Sequence, residues 1–231
     1  MTTFSVVATP IGNMGDITLR ALETLKNVDV VLCEDTRVTR KLLDRYSIQA
    51  HTLSYHSHSS IQKVDDIVSQ LKKGMNIALV SDAGTPGISD PGAELVRRIR
   101  NEMQVEISHG ELKIESIPGP SALTAALSIA GVSAGDFTFL GFLPHKKGRE
   151  TLFKEIAASK RSMVFYESPH RIGKTLNSLV EHLAGTDKKV VICRELTKIF
   201  EEVVSGSADM VRTYFTSNPE KIRGEFVIIV E

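Results

Sequence analysis

The chain has only two cysteines, no surplus of either charge and no apolar run long enough to cross a bilayer. Each shortage removes a class of protein. Cys33 and Cys193 lie far apart, each inside an apolar run (VDVVLCED and VVICREL), which describes buried, reduced thiols and not a disulfide framework. Twenty-eight Lys and Arg balance 28 Asp and Glu, so no whole-molecule field would attract nucleic acid, and such a partner has to be met by a local basic patch. The opening stretch MTTFSVVATP has no basic start, and nothing later approaches the ~20 apolar residues of a membrane helix, so a soluble cytoplasmic protein is expected.

Common catalytic and nucleotide motifs are missing too. The first strand runs into Thr9-Pro10-Ile11-Gly12-Asn13, with one glycine where a dinucleotide fold needs G-x-G-x-x-G. Ser168 to Thr175 approaches a P-loop, but serine replaces the first glycine and Pro169 removes an amide that would cradle phosphate; Ser168 as cap and Pro169 in the first helical turn explain the segment better. No G-x-S-x-G elbow supports a hydrolase. His56 and His58, near His51, lack neighbouring ligands suited to zinc, and no metal is expected.

What is present is a loop. In ALVSDAGTPGISDPG, Ala78 to Gly92, an apolar strand enters a Gly, Pro, Ser, Thr and Asp segment that then opens a helix. Glycines and prolines there fix an unusual path and leave peptide groups uncovered, which suits close approach of a polar small molecule. The carboxyl end of a strand is also where open α/β sheets place ligands.

Length and composition, 231 residues with 42% hydrophobic, allow one large or two modest domains. Strands are predicted at 4–9, 28–33, 52–55, 76–81 and 113–117, alternating with helices: one capped by Asp16 with Ile17, Ala21 and Leu25 inward, one after Ser60 ending at Gly74, one after Asp90-Pro91. That order gives a mostly parallel sheet with helices on both faces. The polar stretch 101–111 reads as a hairpin or protruding loop. A break at Ile117-Pro-Gly-Pro120 divides the chain into an α/β domain at 1–117 and a second at 118–231. The second has a small-residue helix (121–130), then strands near 137–140, 163–167, 190–194, 201–205 and 226–230, and helices near 149–159, 170–183 and 208–215. Short links there predict mixed or antiparallel pairing.

Six segments in order, TPIGN at 9–13, EDTR at 34–37, SDAGTP at 81–86, PGPSA at 118–122, FYESPHR at 165–171 and RELTK at 194–198, resemble the tetrapyrrole methylase superfamily. Within it they are most similar to the 16S ribosomal RNA cytidine 2′-O-methyltransferases. The resemblance covers nearly the whole chain. It implies a two-domain class III methyltransferase with S-adenosylmethionine (SAM) folded into the cleft between the domains. It also implies a homodimer, and a cytidine ribose in the decoding centre of small-subunit RNA as acceptor. By motif, the cofactor contacts fall on Pro10, Ala83, Gly84, Thr85, Ile88, Ser121 and Ala122, with Glu167, Leu196 and Thr197 from the second domain. Relatives often continue past the last strand, whereas this sequence ends at Glu231; weaker RNA binding, or reliance on a dimer or an assembled particle, is the expectation.

A sulfonium methyl is already electrophilic, so positioning should dominate and a base should assist the ribose hydroxyl. Glu34, Asp35, Arg37, Glu167, Arg171, Arg194, Glu195 and Lys198 lie at predicted strand ends. Asp35 or Glu195 is the expected base, with Lys198, Arg37 and Arg171 fixing phosphates or lowering a neighbour's pKa; EDTR and RELTK read equally well as structural ion pairs. RNA contact is expected from His145-Lys-Lys-Gly-Arg149 and from Arg97, Arg98 and Arg100, with Tyr55, His56 and His58 as a stacking wall. A methylase of a tetrapyrrole or diphthamide precursor is the alternative, and a noncatalytic RNA-binding module a third.

Overall fold

The computed structural model describes residues 1–56 and 59–231, so His58 lies outside the described residues. The chain divides into two units, Met1–Ser121 and Ala122–Glu231. The Pro-Gly-Pro turn stays with the first unit, where Thr85 Oγ1 donates to the Pro120 carbonyl at 3.1 Å.

Among the described residues of the first unit, five strands form one sheet: β1 (Thr2–Val7), β2 (Val30–Cys33), β3 (His51–Ser54), β4 (Ile77–Leu79) and β5 (Leu112–Ile117), in the order β3-β2-β4-β1-β5. Every pairing is parallel. Helices α1 (Leu19–Asn27) and α2 (Thr36–Arg45) cover one face, packing Ala21, Leu25, Leu42 and Leu43 on Val7, Val31 and Ala78. Helices α3 (Ile61–Lys72) and α4 (Gly92–Glu102) cover the other, with Ile67, Leu71, Leu95 and Ile99 on Phe4, Leu32 and Ile77. The inner strands β2 and β4, buried at every residue, are wholly apolar, as parallel strands covered on both faces are, while the edge strands β3 and β5 carry polar residues.

Ser60 and Gly74 bound α3 as expected: Ser60 Oγ accepts from Lys63 N, and Gly74 turns with φ +87°. Asp16 does not cap α1. It closes a 3-10 turn capped by Asn13, and Thr18, extended and two residues later, accepts from Ala21 N at 3.1 Å. The 101–111 stretch is helical and not a hairpin: α4 runs to Glu102 and α5 (Gln104–Ser108) follows, with buried Met103 at the joint anchoring both to the core. Helix α2 has no counterpart in the sequence reading, because TRVTRKLLDR offers few apolar residues and buries only Thr39, Leu42 and Leu43.

The second unit begins with α6 (Ala122–Ile129) and holds β6 (Phe137–Phe142), α7 (Arg149–Ala158), β7 (Ser162–Glu167), α8 (Ile172–His182), β8 (Val190–Arg194), β9 (Glu202–Gly206), α9 (Ala208–Ser217) and β10 (Phe226–Val230). Its sheet order is β6-β7-β10-β8-β9; β6 and β7 are parallel and the rest antiparallel, the mixed pairing expected. Helices α7, α8 and α9 pack Phe153, Ile156, Leu179, Val211 and Phe215 on one face, against Phe165, Ile192, Phe226 and Ile228. Helix α6 lies on the other, where the Cys193 thiol meets the Ala126 carbonyl at 3.9 Å. Ser168 and Pro169 do not start α8. They form a turn in which the Ser168 carbonyl accepts from Arg171 and Ile172, because Arg171 is anchored elsewhere and the helix begins only after it.

Candidate functional site

In the first unit the connection from β1 leads to β2 on one side, while that from β4 leads to β5 on the other. Adjacent β1 and β4 therefore mark the sheet's switch point, where open α/β sheets part their loops for ligands. The loops after these strands are joined there. Thr9 N donates to the Gly84 carbonyl (2.9 Å) and Gly84 N to the Thr9 carbonyl (3.0 Å). The Thr9 hydroxyl donates to the Ser81 carbonyl at 3.0 Å. Gly84 has φ +82°, a value side chains resist, and a Cβ there would touch Ile11 Cγ2 at 3.4 Å. Further on, Asp90 Oδ1 accepts from both Gly87 N and Gly92 N at 2.7 Å, locking the loop to the start of α4.

Within this unit Pro10, Ala83, Gly84, Thr85 and Ser121 are thus brought to one edge, with Ile88 exposed farther along the loop. The Thr85 hydroxyl donates to the Pro120 carbonyl, so toward a ligand it can act only as an acceptor, alongside the loop's peptide groups. Gly84 itself is buried and holds the turn in shape, while exposed Asp82 and Ala83 and half-buried Thr85 beside it leave backbone open to a nucleoside-like cofactor, so the residues present fit SAM.

EDTR leaves β2 at the same edge. Asp35 caps α2, accepting from Arg37 N at 2.8 Å, and both its oxygens bind the Arg37 guanidinium, the closest at 2.6 Å. Its own N donates to Asp82 Oδ1, which ties EDTR to the glycine loop. The Arg37 side-chain and backbone hydrogen bonds hold the Asp35 carboxyl down to about 2. Glu34 moves the other way, raised by burial and then by Asp82 and Asp90.

In the second unit Glu167 is fully buried at the end of β7. Oε1 accepts from Ser168 N (2.9 Å) and Arg171 Nε (2.6 Å); Oε2 accepts from the Thr175 hydroxyl (2.6 Å) and faces Arg149 Nη2 at 3.6 Å. Arg171 also donates to the Leu143 carbonyl, and Arg149 to Pro144 and Thr175. Glu167 and Arg171 are therefore occupied in bracing β7, α7 and α8. Burial pushes the Arg149 guanidinium down, opposed by Glu167.

RELTK forms a tight loop after β8. Glu195 and Thr197 both adopt left-handed backbone, φ 51° and 64°, an expense side chains rarely accept outside sites that use it. Glu195 Oε1 accepts from Lys198 Nζ at 2.8 Å, while its Oε2 has no hydrogen bond among the described residues. A Cβ on Gly224 would collide with the Glu195 carboxylate. Thr197 N donates to Glu201 Oε2 at 2.6 Å, and the Thr197 hydroxyl is buried with no partner among the described residues. Leu196 is buried beside it.

The expected RNA contacts at Arg149 and Tyr55 need correction. Arg149 is 7% exposed and holds Glu167, because Arg149, Phe153 and Ile156 share the inward face of α7; that i, i+4, i+7 spacing was the missed signal. Arg97 and Arg98 pair with Glu94 and with Asp65 and Glu102 on the surface, where they stay partly open. Tyr55 is buried in the core under α3 and α4 and offers no stacking wall. Both thiols are free and buried, Cys193 pushed up to about 11 by burial.

Two α/β units with a glycine-proline turn at the switch point define a class of methylases. Residues 3–211 match the model of the Tetrapyrrole (Corrin/Porphyrin) Methylases, and the chain belongs to that family. It is a methyltransferase whose methyl donor is SAM. Relatives named ribosomal RNA small subunit methyltransferase I include one from Neisseria meningitidis, 43% identical over 99% of this chain and 75% of its own length, and one from Mesorhizobium japonicum, 45% identical over 97% and 74%. A third, from Synechocystis, is 44% identical over 97% and 77%. Among solved structures, a diphthine synthase (TM-score 0.69, 14% identical, 99% of this chain and 89% of that one) and the methyltransferase CobJ (0.67, 17%, 100% and 94%) share the fold.

Proposed function

We propose that the chain methylates small-subunit ribosomal RNA, transferring the methyl of SAM to the 2′-oxygen of a cytidine ribose in the decoding centre. The observation that carries this is identity of 43% and 45%, across nearly the whole chain, to relatives named for that RNA; the cytidine and its 2′-oxygen rest on the six-motif resemblance. Cytoplasmic location and a homodimer belong to the same proposal. Among the described residues no helix is long and apolar enough to cross a membrane.

When bound, SAM supplies an electrophilic methyl on a sulfonium. The cofactor contacts are assigned to Pro10, Ala83, Gly84, Thr85, Ile88 and Ser121 in the first unit and to Ala122, Leu196, Thr197 and the main chain of Glu167 in the second. The attacking oxygen must be held at ~3–3.5 Å and relieved of its proton. Glu195 is assigned that proton, since it keeps one oxygen open while Lys198 fixes the other. Asp35, with both oxygens on Arg37 and its carboxyl near 2, is too weak an acceptor; with Arg37 it orients substrate instead.

Labelled SAM incubated with small ribosomal subunits that lack the modification, followed by mapping of the labelled nucleotide, tests the assignment. Label on a cytidine ribose is the expected result. Transfer to a tetrapyrrole or diphthamide precursor, with none to subunits, would replace it.

A further inference from the structure

Strand β6 lies at the edge of the second sheet, and its side-chain alternation is interrupted. Phe139 pairs with Val164, but Phe142 and not Gly141 pairs with Tyr166, so one residue is inserted, and Gly141 turns there with φ +62°. In an unbroken strand, residues 139 and 142 would face opposite sides of the sheet. The bulge puts both phenylalanines on one side, where they flank Tyr166 edge-on, with ring centroids at 5.0 and 5.4 Å and interplanar angles of 69° and 62°. This row is not finished core: Phe142 is 42% exposed and Phe139 and Tyr166 are half-buried. Lys146 and Lys147 follow within five residues, exposed and without an ion pair among the described residues.

Resting on the ribosomal RNA assignment above, we propose that Phe139, Tyr166 and Phe142 form a platform for an unpaired base of the RNA substrate, with Lys146 and Lys147 taking the flanking phosphates. A partly open aromatic row followed within five residues by two uncompensated cations matches the two halves of a nucleotide, an apolar π-face and an anion. An apolar protein partner would instead leave two ammonium groups to be desolvated without counter-charges.

The sequence contains no tryptophan, so Phe142→Trp places a single reporter on the platform. Its fluorescence should be quenched by a single-stranded oligocytidylate. Phe142→Ala should weaken that RNA roughly 5- to 150-fold, the size of one base–aromatic stack, and raise KM for subunits while kcat and SAM affinity hold; Phe142→Tyr should restore both. Lys146→Gln with Lys147→Gln should reduce the logarithmic salt slope by about 1.4, for two phosphates on a single strand. Emission that RNA leaves unmoved, with Phe142→Ala binding as the parent does, would overturn the platform even if subunits are methylated normally. A changed sedimentation mass for Phe142→Ala at unchanged RNA affinity would make the row an interface between copies and overturn it too. Quenching needs no methyl transfer, so parent protein that fails to label subunits would remove the ribosomal assignment separately.

Discussion

Adjacent carboxylates in this chain have different work. Asp35 serves α2 and Arg37, and asparagine is an equally good cap, so Asp35→Asn should keep single-turnover methylation within a few-fold of the parent. Glu195→Gln should lose about 10²–10⁴-fold, the scale of a positioned base; a normal rate there would pass the role to Glu34, the carboxyl that burial raises. Such division is invisible in the sequence, because the partners of Glu34, Asp82 and Asp90, arrive from a distant loop. His182 gives a second test. Its Nδ1 meets the Ser178 carbonyl at 2.8 Å and its Nε2 meets Glu150 at 2.7 Å. The Ser178 bond first, then Glu150, raise the ring's pKa against the opposing effect of burial. A raised folded value stabilises fully below the unfolded pKa of ~6.5, and that stability is lost as pH climbs through the folded value. Melting at pH 6 and pH 8 should therefore differ less for His182→Gln than for the parent; an identical difference would dismiss the ring.

Turns and braces decide more at the next scale than helix propensity does. Removing the Glu167 charge with Glu167→Gln strands the buried Arg149 guanidinium, and denaturant unfolding should show a loss of about 3–5 kcal/mol. A change below ~0.5 kcal/mol would mean the guanidinium finds water. Gly84→Ala forces a side chain to φ +82°, costing of order 1 kcal/mol or more, and calorimetry should show weaker SAM binding because the turn must shift. Elements with strong apolar periodicity, such as α3 and the buried strands β8 and β10, could be read from the chain alone. Helix α2 and the 101–111 segment could not, since α2 buries only three residues in charged surroundings and α5 none, with Met103 alone anchoring its start. The glycine turn was legible because glycine and proline announce backbone directly, whereas Arg149 misled because a basic run looks the same whether its last member turns outward or in.

At the scale of the whole chain, balanced charge leaves RNA recognition to local features, and most arginines first counted toward it hold carboxylates instead. The order β3-β2-β4-β1-β5 carries a separate consequence. Thr2 pairs with Leu112 and Val7 with Ile117. Strand β1 thus emerges from the ribosome well ahead of both its neighbours, β4 and β5, and at ~5–20 residues per second it waits several seconds or longer for the second of them. Nascent chains arrested before Leu112 should be cut readily by protease within Thr2–Val7, and chains extended past Ile117 should resist. Until β5 is made, β1 is a ribbon unmatched along one edge, held at the exit tunnel.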